Sequence, residues 1–278
     1  MYFGPSGYPE EAKGSADAVF ALLRDAGLNA LEYAAVYGLR INEEKARLVG
    51  DLSKATGVQM SMHAAYYISL ASKDPAIRER SKYRLVQALT FAPLMNVKRV
   101  VFHPGTYGGL DAESAFVTVR DALSEVWHTA GKSAHGTFLA PETAGKTNNF
   151  GSIEEVIRLC SELEYCIPTV DWAHLYARTK GEMGDSRSYR EVLSLLEESL
   201  GDRFLKNMHF HVSGIVYGEK GEKEHRPLGG EWGPDILPLI QLCMENGYNP
   251  TFISETPEPI EGALYIKHLV DQLERSKQ

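Results

Sequence analysis

The sequence predicts an α/β protein of the (β/α)8 class, the TIM barrel, folded as a single domain over residues 1–278. Short β-rich runs alternate with amphipathic helical stretches along the whole chain, which is typical of βαβ units and a parallel sheet. Eight repeats of about 35 residues each suit the ~250-residue barrel. The composition does not shift along the chain, and no linker rich in proline or serine divides it.

The eight predicted strands are short and mostly apolar. In order, they cover residues 1–4, 28–33, 58–63, 98–103, 137–142, 166–171, 205–211 and 251–255. The run at 98–103 gives the clearest strand pattern, because three apolar residues lead straight into His103. An open, doubly wound sheet is the alternative architecture. It is disfavoured because no glycine-rich nucleotide-binding motif follows any of these runs.

Helical patterns fill most of the gaps between the strands. They cover residues 15–27, 74–94, 111–131, 152–163, 188–200, 234–247 and 260–273. The first begins at a potential N-cap, Ser15, and ends at Gly27, a typical C-terminal signal. The second repeats Ile77, Leu85 and Leu89 at helical spacing. Strands and helices therefore alternate as a barrel requires.

Composition limits the possible classes of function. The chain is 44% hydrophobic and 24% charged, as in ordinary globular proteins. A net charge of -8 argues against binding nucleic acid by bulk charge, although a local basic rim stays possible. Three dispersed cysteines predict reduced thiols. With neither a signal-peptide pattern nor a run near ~18 apolar residues, a cytoplasmic protein with no membrane contact is expected.

Histidine and acidic residues stand at or near the ends of six predicted strands. These residues are His63, His103, Glu142, Asp171, His211 and Glu255. His174 follows three residues after Asp171, and His225 lies in the long loop after the seventh strand. The C-terminal ends of barrel strands converge on one face, so these side chains are expected to meet there. Such a mixed set suits zinc, manganese, iron or magnesium, and eight ligands suffice for two or three ions.

Four short motifs resemble the endonuclease IV family (AP endonuclease family 2) of the xylose-isomerase-like barrels. They are Phe102–Gly105, Pro141–Gly145, Val170–His174 and Ser254–Pro257. The resemblance runs from about Leu28 to the last strand, in order and with similar spacing. It implies a hydrolase that cleaves double-stranded DNA 5′ to abasic sites during base excision repair. In that family a metal-bound hydroxide attacks the phosphate.

The resemblance also implies roles for individual residues. His63 and His103 would hold one ion, which Glu142 would bridge to a second. Asp171, His211 and Glu255 would complete the second site, and His174 and His225 would hold a third ion. Glu142 and Glu255 are then the expected catalytic residues. The expected cofactor is Zn²⁺, two or three ions per chain, with Mn²⁺ or Mg²⁺ as alternatives.

Two positions depart from the family pattern. Lys223 stands where the family has an aspartate ligand two residues before His225, so the third metal site depends on Glu222 or Glu224. In the seventh strand, His209 and His211 point the same way because side chains alternate along a strand. His211 is the favoured ligand because it lies nearer the C-terminal end, and His209 is then a deeper structural histidine. The alternative is that both histidines are ligands.

Residues outside the metal cluster are candidates for DNA contact. Tyr66 and Tyr67 follow the third strand and match the family positions that enter the duplex at the lesion, where an aromatic wedge would hold bent DNA. Arg40, after the second strand, could reach a phosphate. Residues 219–226 mix charge signs and are interpreted as a mobile rim or a solvated loop.

Two other functions fit parts of the pattern. A sugar isomerase or epimerase of the same superfamily would need one metal, held by Glu142, Asp171, His211 and Glu255, and would leave the remaining histidines unexplained. A barrel that binds damaged DNA without cutting it is the other alternative, favoured by Lys223 alone. The sequence indicates no protein partner, and a monomer is expected.

Overall fold

A closed barrel of eight parallel strands forms the centre of the computed structural model, which describes residues 1–276. The barrel strands are β1 (Tyr2–Pro5), β2 (Ala30–Ala34), β3 (Gln59–His63), β4 (Val97–Phe102), β5 (Phe138–Pro141), β6 (Val170–Asp171), β7 (His209–Val212) and β10 (Thr251–Ser254). Two four-stranded ladders run β2-β3-β4-β5 and β6-β7-β10-β1. Parallel bridges between Ser6 and Glu32 and between Glu142 and Thr169 close the two seams. The predicted TIM barrel is confirmed.

Helices surround this barrel and cover its outer face. They are α1 (Ala16–Asp25), α2 (Glu43–Thr56), α3 (Pro75–Phe91), α4 (Ala112–Ala130), α5 (Ile153–Glu162), α6 (Trp172–Arg178), α7 (Ser186–Leu200), α8 (Asp202–Leu205), α9 (Leu237–Glu245) and α10 (Pro259–Ser276). Trp172 is fully buried and packs edge-on against Tyr189 of α7 and Phe210 of β7. Edge-to-face packing of this kind adds to the stabilisation from buried area. The main core therefore lies between the strands and the helical layer.

All seven predicted helices are present, but α2, α6 and the short α8 were not predicted. The buried face of α2 consists of the small residues Ala46, Val49, Gly50 and Ser53, which give only a weak apolar pattern in the sequence. Its ends are nevertheless clear, because the Asn42 side chain accepts a hydrogen bond from the Lys45 amide and Gly57 adopts a left-handed φ of 74°. Asp171 caps α6 by accepting from the His174 amide at 2.7 Å. That cap starts the helix directly at the end of a strand.

Two predicted strands are shorter than expected. The sixth is reduced to Val170–Asp171, since Pro168 has no amide proton to donate to a ladder. The seventh begins at His209 because residues 202–205 form α8. The charge-rich segment at 219–226 is not a loop: β8 (Gly214–Gly218) and β9 (Gly221–Arg226) form an antiparallel hairpin after β7.

Within residues 1–276, no helix is both long and apolar enough to cross a membrane. The cysteines at positions 160, 166 and 243 are free and buried.

Candidate metal centre

The buried carboxylate of Glu142 lies at the centre of the barrel mouth. Its Oε2 atom is 3.2 Å from His63 Nε2 and 3.4 Å from His103 Nε2. Its Oε1 atom is 3.2 Å from His174 Nδ1 and 3.4 Å from His211 Nδ1. One carboxylate thus touches histidines from four different segments of the chain, with an oxygen facing each pair.

The eight predicted ligands fall into three overlapping donor groups. In each group, potential ligand atoms lie within 4.8 Å of one another. The groups are His63, His103 and Glu142; Glu142, Asp171, His211 and Glu255; and Asp171, His174 and His225. We call these the outer, inner and third groups. The partition matches the one implied by the resemblance, and in addition Asp171 lies within reach of the third group.

Hydrogen bonds fix the orientation of three of the histidine rings. The Nδ1 atoms of His63, His174 and His225 lie 2.8, 3.0 and 2.9 Å from the backbone carbonyls of Ala64, Thr143 and Glu255, respectively. An Nδ1–H that donates to a carbonyl leaves the Nε2 lone pair free to bind a metal. These three imidazoles are therefore oriented as metal ligands.

Ligand spacing in the third group suits a tetrahedral ion. The Nε2 atoms of His174 and His225 are 3.3 Å apart. Two unprotonated nitrogens at this distance repel each other unless a cation or a proton lies between them. With Zn–N bonds of about 2.0–2.1 Å and tetrahedral angles, two nitrogen ligands lie about 3.3–3.4 Å apart. The observed separation fits this value.

Several buried polar atoms in the mouth lack a hydrogen-bond partner among the described residues. They include Glu142 Oε1, Asp171 Oδ2 and His211 Nδ1. Buried polar atoms are paired in the great majority of cases, so a group of unpaired acceptors needs an explanation. Divalent cations bound between these atoms would satisfy them. The residues therefore fit the metals that the sequence predicts.

Electrostatics at the mouth also suit bound cations. Burial disfavours ionisation of Glu142, but the charges of His103 and His211 outweigh it and hold its pKa well below the ordinary value. Burial raises the pKa of Asp171 to about 6, against the opposing charge of His174. The carboxylates thus depend on nearby positive charge. Metal ions supply that charge when they replace protons on ligands.

The β8–β9 hairpin brings Glu222 to the third group. A β-bulge makes Lys223 the extra residue, because Glu222 pairs with Tyr217 whereas Glu224 pairs with Val216. The bulge places Glu222 on the same side of the strand as His225, although the two are an odd number of positions apart, three. Glu222 Oε2 lies 3.5 Å from His174 Nε2. Of the two candidate replacements for the family aspartate, Glu222 is the one that contacts a predicted ligand, although it lies outside the three donor groups.

Glu224, the other candidate, is exposed and contacts Arg226 Nη2 at 2.8 Å instead. The backbone around Glu222 is held against the loop after β5. The Glu222 amide donates to the Gly145 carbonyl at 3.2 Å, and Gly221 forms an antiparallel bridge with Lys146. A Cβ on Gly145 would lie 2.6 Å from the Glu222 Cβ, so the absence of a side chain there permits the approach.

Sequence reasoning missed Glu32, which lies deeper in the barrel beneath the mouth. Its carboxylate is fully buried and contacts both histidines of β7, with His209 Nε2 at 3.1 Å and His211 Nε2 at 3.0 Å. His209 turns towards Glu32, whereas His211 Nδ1 faces Glu142. The predicted choice of His211 as ligand agrees with this geometry. An acidic residue inside an otherwise apolar strand was the available signal for Glu32.

A groove of about 610 Å³ runs from the metal centre along the rim. Its lining includes His103, Glu222 and the basic residues Arg80, Arg84 and Lys146. The two predicted DNA-contact tyrosines also line it; Tyr66 is 62% and Tyr67 57% exposed. The Arg84 guanidinium lies 5.6 Å from the centroid of the Tyr67 ring. The predicted phosphate contact Arg40 is exposed and lines neither the groove nor the centre.

Comparison with known protein families gives one match over most of the chain. A family described as "Xylose isomerase-like TIM barrel" matches residues 20–275. An uncharacterised protein of Methanocaldococcus jannaschii is 34% identical over 258 residues, 92% of each chain. A probable endonuclease 4 of Persephonella marina is 25% identical over 194 residues, 68% of this chain and 67% of the relative.

Solved structures agree on the fold. Endonuclease IV from Thermus thermophilus superposes with a TM-score of 0.73 at 19% identity, covering 96% of this chain and 99% of that one. An L-ribulose 3-epimerase superposes with a TM-score of 0.72 at 14% identity, covering 100% and 97%. At these identities both likenesses concern the barrel alone. The resemblance to endonuclease IV that the motifs predict is confirmed by the family match and by sequence relatives described as probable endonuclease 4.

Proposed function

The chain belongs to the xylose isomerase-like TIM barrel family, and from this membership and its metal centre we propose that it is a metal-dependent endonuclease. Its reaction is hydrolysis of the DNA phosphodiester 5′ to abasic sites, as in base excision repair. One observation carries the proposal: the outer and third donor groups flank the inner group and share ligands with it. Such an arrangement has room for three neighbouring cations, which suits phosphodiester chemistry.

Each donor group would hold one ion. Glu142 would be a ligand shared by the outer and inner groups, and Glu222 would complete the third group. Histidine and carboxylate ligands suit Zn²⁺, with Mn²⁺ or Mg²⁺ as alternatives. When bound, such ions supply an activated water and positive charge for the phosphate and leaving-group oxygens.

Glu255 lies where the buried centre meets the open mouth. Its Oε1 atom is 3.4 Å from His211 Nδ1, and its backbone carbonyl accepts from His225 at 2.9 Å. The side chain is 15% exposed, whereas Glu142 is fully buried. Glu255 is therefore the carboxylate placed to hold a proton from a reacting water, while Glu142 serves mainly to organise the centre.

The groove supports a polyanionic substrate. Arg80, Arg84 and Lys146 line the same groove as His103 and Glu222. These side chains provide a local basic rim on a chain whose net charge is -8. Tyr66 and Tyr67 stand at that rim and can stack against unpaired bases at a lesion. A small neutral sugar would leave the basic side chains without a role.

The second candidate function is a sugar epimerase with a single metal ion. Its support is the inner group, which offers two glutamates, an aspartate and a histidine around one point. Two of these carboxylates could exchange a proton with a sugar carbon. Structural neighbours described as epimerases share the fold. This interpretation leaves the outer and third donor groups without a role.

The test is incision of a labelled duplex that contains one abasic site. The zinc-loaded protein is expected to cut 5′ to the lesion, and prolonged treatment with a chelator is expected to abolish cutting. Glu142→Gln is expected to lose incision because it removes a ligand shared by two groups. Glu224→Gln, on the exposed side of the hairpin, serves as the matched control and is expected to cut normally.

Absence of cutting with zinc, manganese and magnesium would reject the nuclease. In that case, one bound ion per chain together with turnover of ketose sugars would establish the epimerase. Metal-independent binding to abasic DNA without turnover would instead establish a non-cleaving damage-recognition protein.

A further inference from the structure

Beneath the metal centre lies a second layer of polar side chains, which we call the deep cluster. It consists of Glu32 on β2, Ser61 on β3, Arg99 on β4 and His209 on β7. All four are buried, with exposures of 0, 3, 8 and 1%. Burying so many polar groups is unfavourable unless they satisfy one another. We therefore expect these four residues to have a function in addition to filling the interior of the barrel.

Glu32 makes most of the contacts in the deep cluster. Its Oε2 atom accepts hydrogen bonds from the Ser61 hydroxyl at 2.7 Å and from His209 Nε2 at 3.1 Å. Its Oε1 atom lies 3.0 Å from Nε2 of His211, but the two atoms are not aligned as a hydrogen bond, and neither has another hydrogen-bond partner among the described residues. The two carboxylate oxygens thus play separate roles, since Oε2 anchors the side chain whereas Oε1 faces a metal-ligand candidate.

His211 connects the deep cluster to the metal centre. Its Nε2 atom faces Glu32, and its Nδ1 atom lies 3.4 Å from both Glu142 Oε1 and Glu255 Oε1. This orientation is opposite to that of His63 and the histidines of the third group, which turn Nδ1 outward to backbone carbonyls. A carboxylate behind a ligand histidine fixes its tautomer and raises its basicity.

We propose that Glu32 is a positioning residue, which holds the proton of His211 on Nε2 and so leaves Nδ1 free to bind the ion of the inner group. The inference rests on the metal centre of the proposed function but not on the identity of its substrate. Glu32 would set how tightly the inner group retains its ion, while making no contact with substrate itself.

The three donors Glu32, His209 and His211 could instead be considered a fourth metal site. The contacts and charges within the deep cluster argue against a fourth metal site. Two hydrogen bonds already occupy Glu32 Oε2, and the positive charge of the buried Arg99 acts on both Glu32 and His209. Arg99 is held in place by donating to the Asn207 carbonyl at 2.6 Å. A guanidinium therefore supplies the charge that a cation would bring.

The first experiment measures zinc affinity in metal-stripped protein by competition with a chromophoric chelator. Glu32→Gln keeps the size of the side chain but removes its charge. Loss of an outer-sphere partner typically weakens metal binding about 10- to 100-fold, and this change is expected for one ion of the set. Ser61→Ala is the matched control: it removes a hydrogen bond to Oε2 and leaves the contact with His211 intact, so a much smaller change is expected.

A second measurement uses the wild-type chain and does not depend on a variant folding. Long-range ¹H–¹⁵N correlation spectra of the zinc-loaded protein report which ring nitrogen of each histidine carries the proton. His211 is expected to carry it on Nε2, whereas His63, His174 and His225 are expected to carry it on Nδ1. A proton on Nδ1 of His211 would overturn the proposal.

The other outcomes are distinct. If folded Glu32→Gln binds every ion as tightly as wild type, the positioning role is wrong while the metal centre stands. If wild type binds four ions and the variant three, the cluster is an additional metal site and the proposal is overturned. If wild type binds no divalent ion at all, the metal centre of the proposed function fails, and the inference fails with it.

Discussion

Replacing Gly145 with alanine is expected to remove one metal ion from the protein without unfolding it. Gly145 follows β5 and lies directly against Glu222, the residue we assign to the third group. The new Cβ would be 2.6 Å from the Glu222 Cβ, 2.8 Å from its Oε2 atom and 3.0 Å from His174 Cδ2. The substitution thus disturbs two ligands of one ion at their point of contact.

The size of the disturbance follows from these distances. Ordinary van der Waals contact of a Cβ begins at about 3.4 Å, so Glu222 must move by roughly 0.8 Å to relieve the closest contact. Metal–ligand distances tolerate deviations of only about 0.2 Å. The displacement therefore exceeds the tolerance about fourfold, and the bound metal is expected to fall from three ions per chain to two.

The assay is metal content by mass spectrometry after equilibration with zinc and removal of free ions. Gly218→Ala is the matched control on the same hairpin. Its Cβ would meet the flexible end of Lys223, 2.6 Å from Cε, and that side chain can move into solvent. Three ions in the control and two in Gly145→Ala are expected. Three tightly held ions in both variants would refute the assignment of Glu222.

Three further results are expected. Tyr66→Ala combined with Tyr67→Ala removes stacking worth about 1–3 kcal/mol per base, so affinity for abasic duplex should fall about tenfold or more by fluorescence anisotropy. The control Tyr83→Ala, on the outer face of α3, should leave the affinity for abasic duplex unchanged. An equal loss of affinity in this control would contradict a DNA wedge formed by Tyr66 and Tyr67. Arg84→Gln should make the slope of log affinity against log salt shallower by about one, whereas an unchanged slope would exclude a phosphate contact. Removing a single ion should lower the melting temperature by about 8–16 °C, from about 4 kcal/mol of binding free energy per site at a thousandfold ligand excess, and complete metal removal should lower it further. An unchanged melting temperature after verified metal removal would argue against a metal centre built from buried carboxylates.

The barrel could be predicted from sequence because its signals are local. Each strand is a short apolar run bounded by a change of pattern, and each predicted helix shows its own periodicity. The C-terminal ends of parallel strands share one face, so strand-end residues such as His63, Glu142 and Asp171 could be placed together without coordinates. The missed helix α2 shows the limit of this reasoning, since its buried positions hold small residues and a serine rather than large apolar side chains, and its caps mark where it lies.

The third group could not be completed from sequence. Regular strand alternation places residues two apart on the same side, which made Lys223 look like a missing ligand. A bulge changes that phase and brings Glu222 beside His174, because the hairpin is held against the loop at Gly145. Bulge position depends on this tertiary contact, and the local sequence alone does not specify it.

The sequence by itself determined the barrel and the set of side chains at its mouth, since both follow from short-range patterns repeated along the chain. Tertiary structure decided which atoms face one another. Glu32 and His209 are 177 positions apart, and Glu142 and His63 are 79 apart. Each pair meets across the barrel because strand register and inward alternation align the two residues at the same depth. The proposed tautomer of His211 and the proposed role of Glu32 depend on that depth, which becomes defined only when the barrel closes.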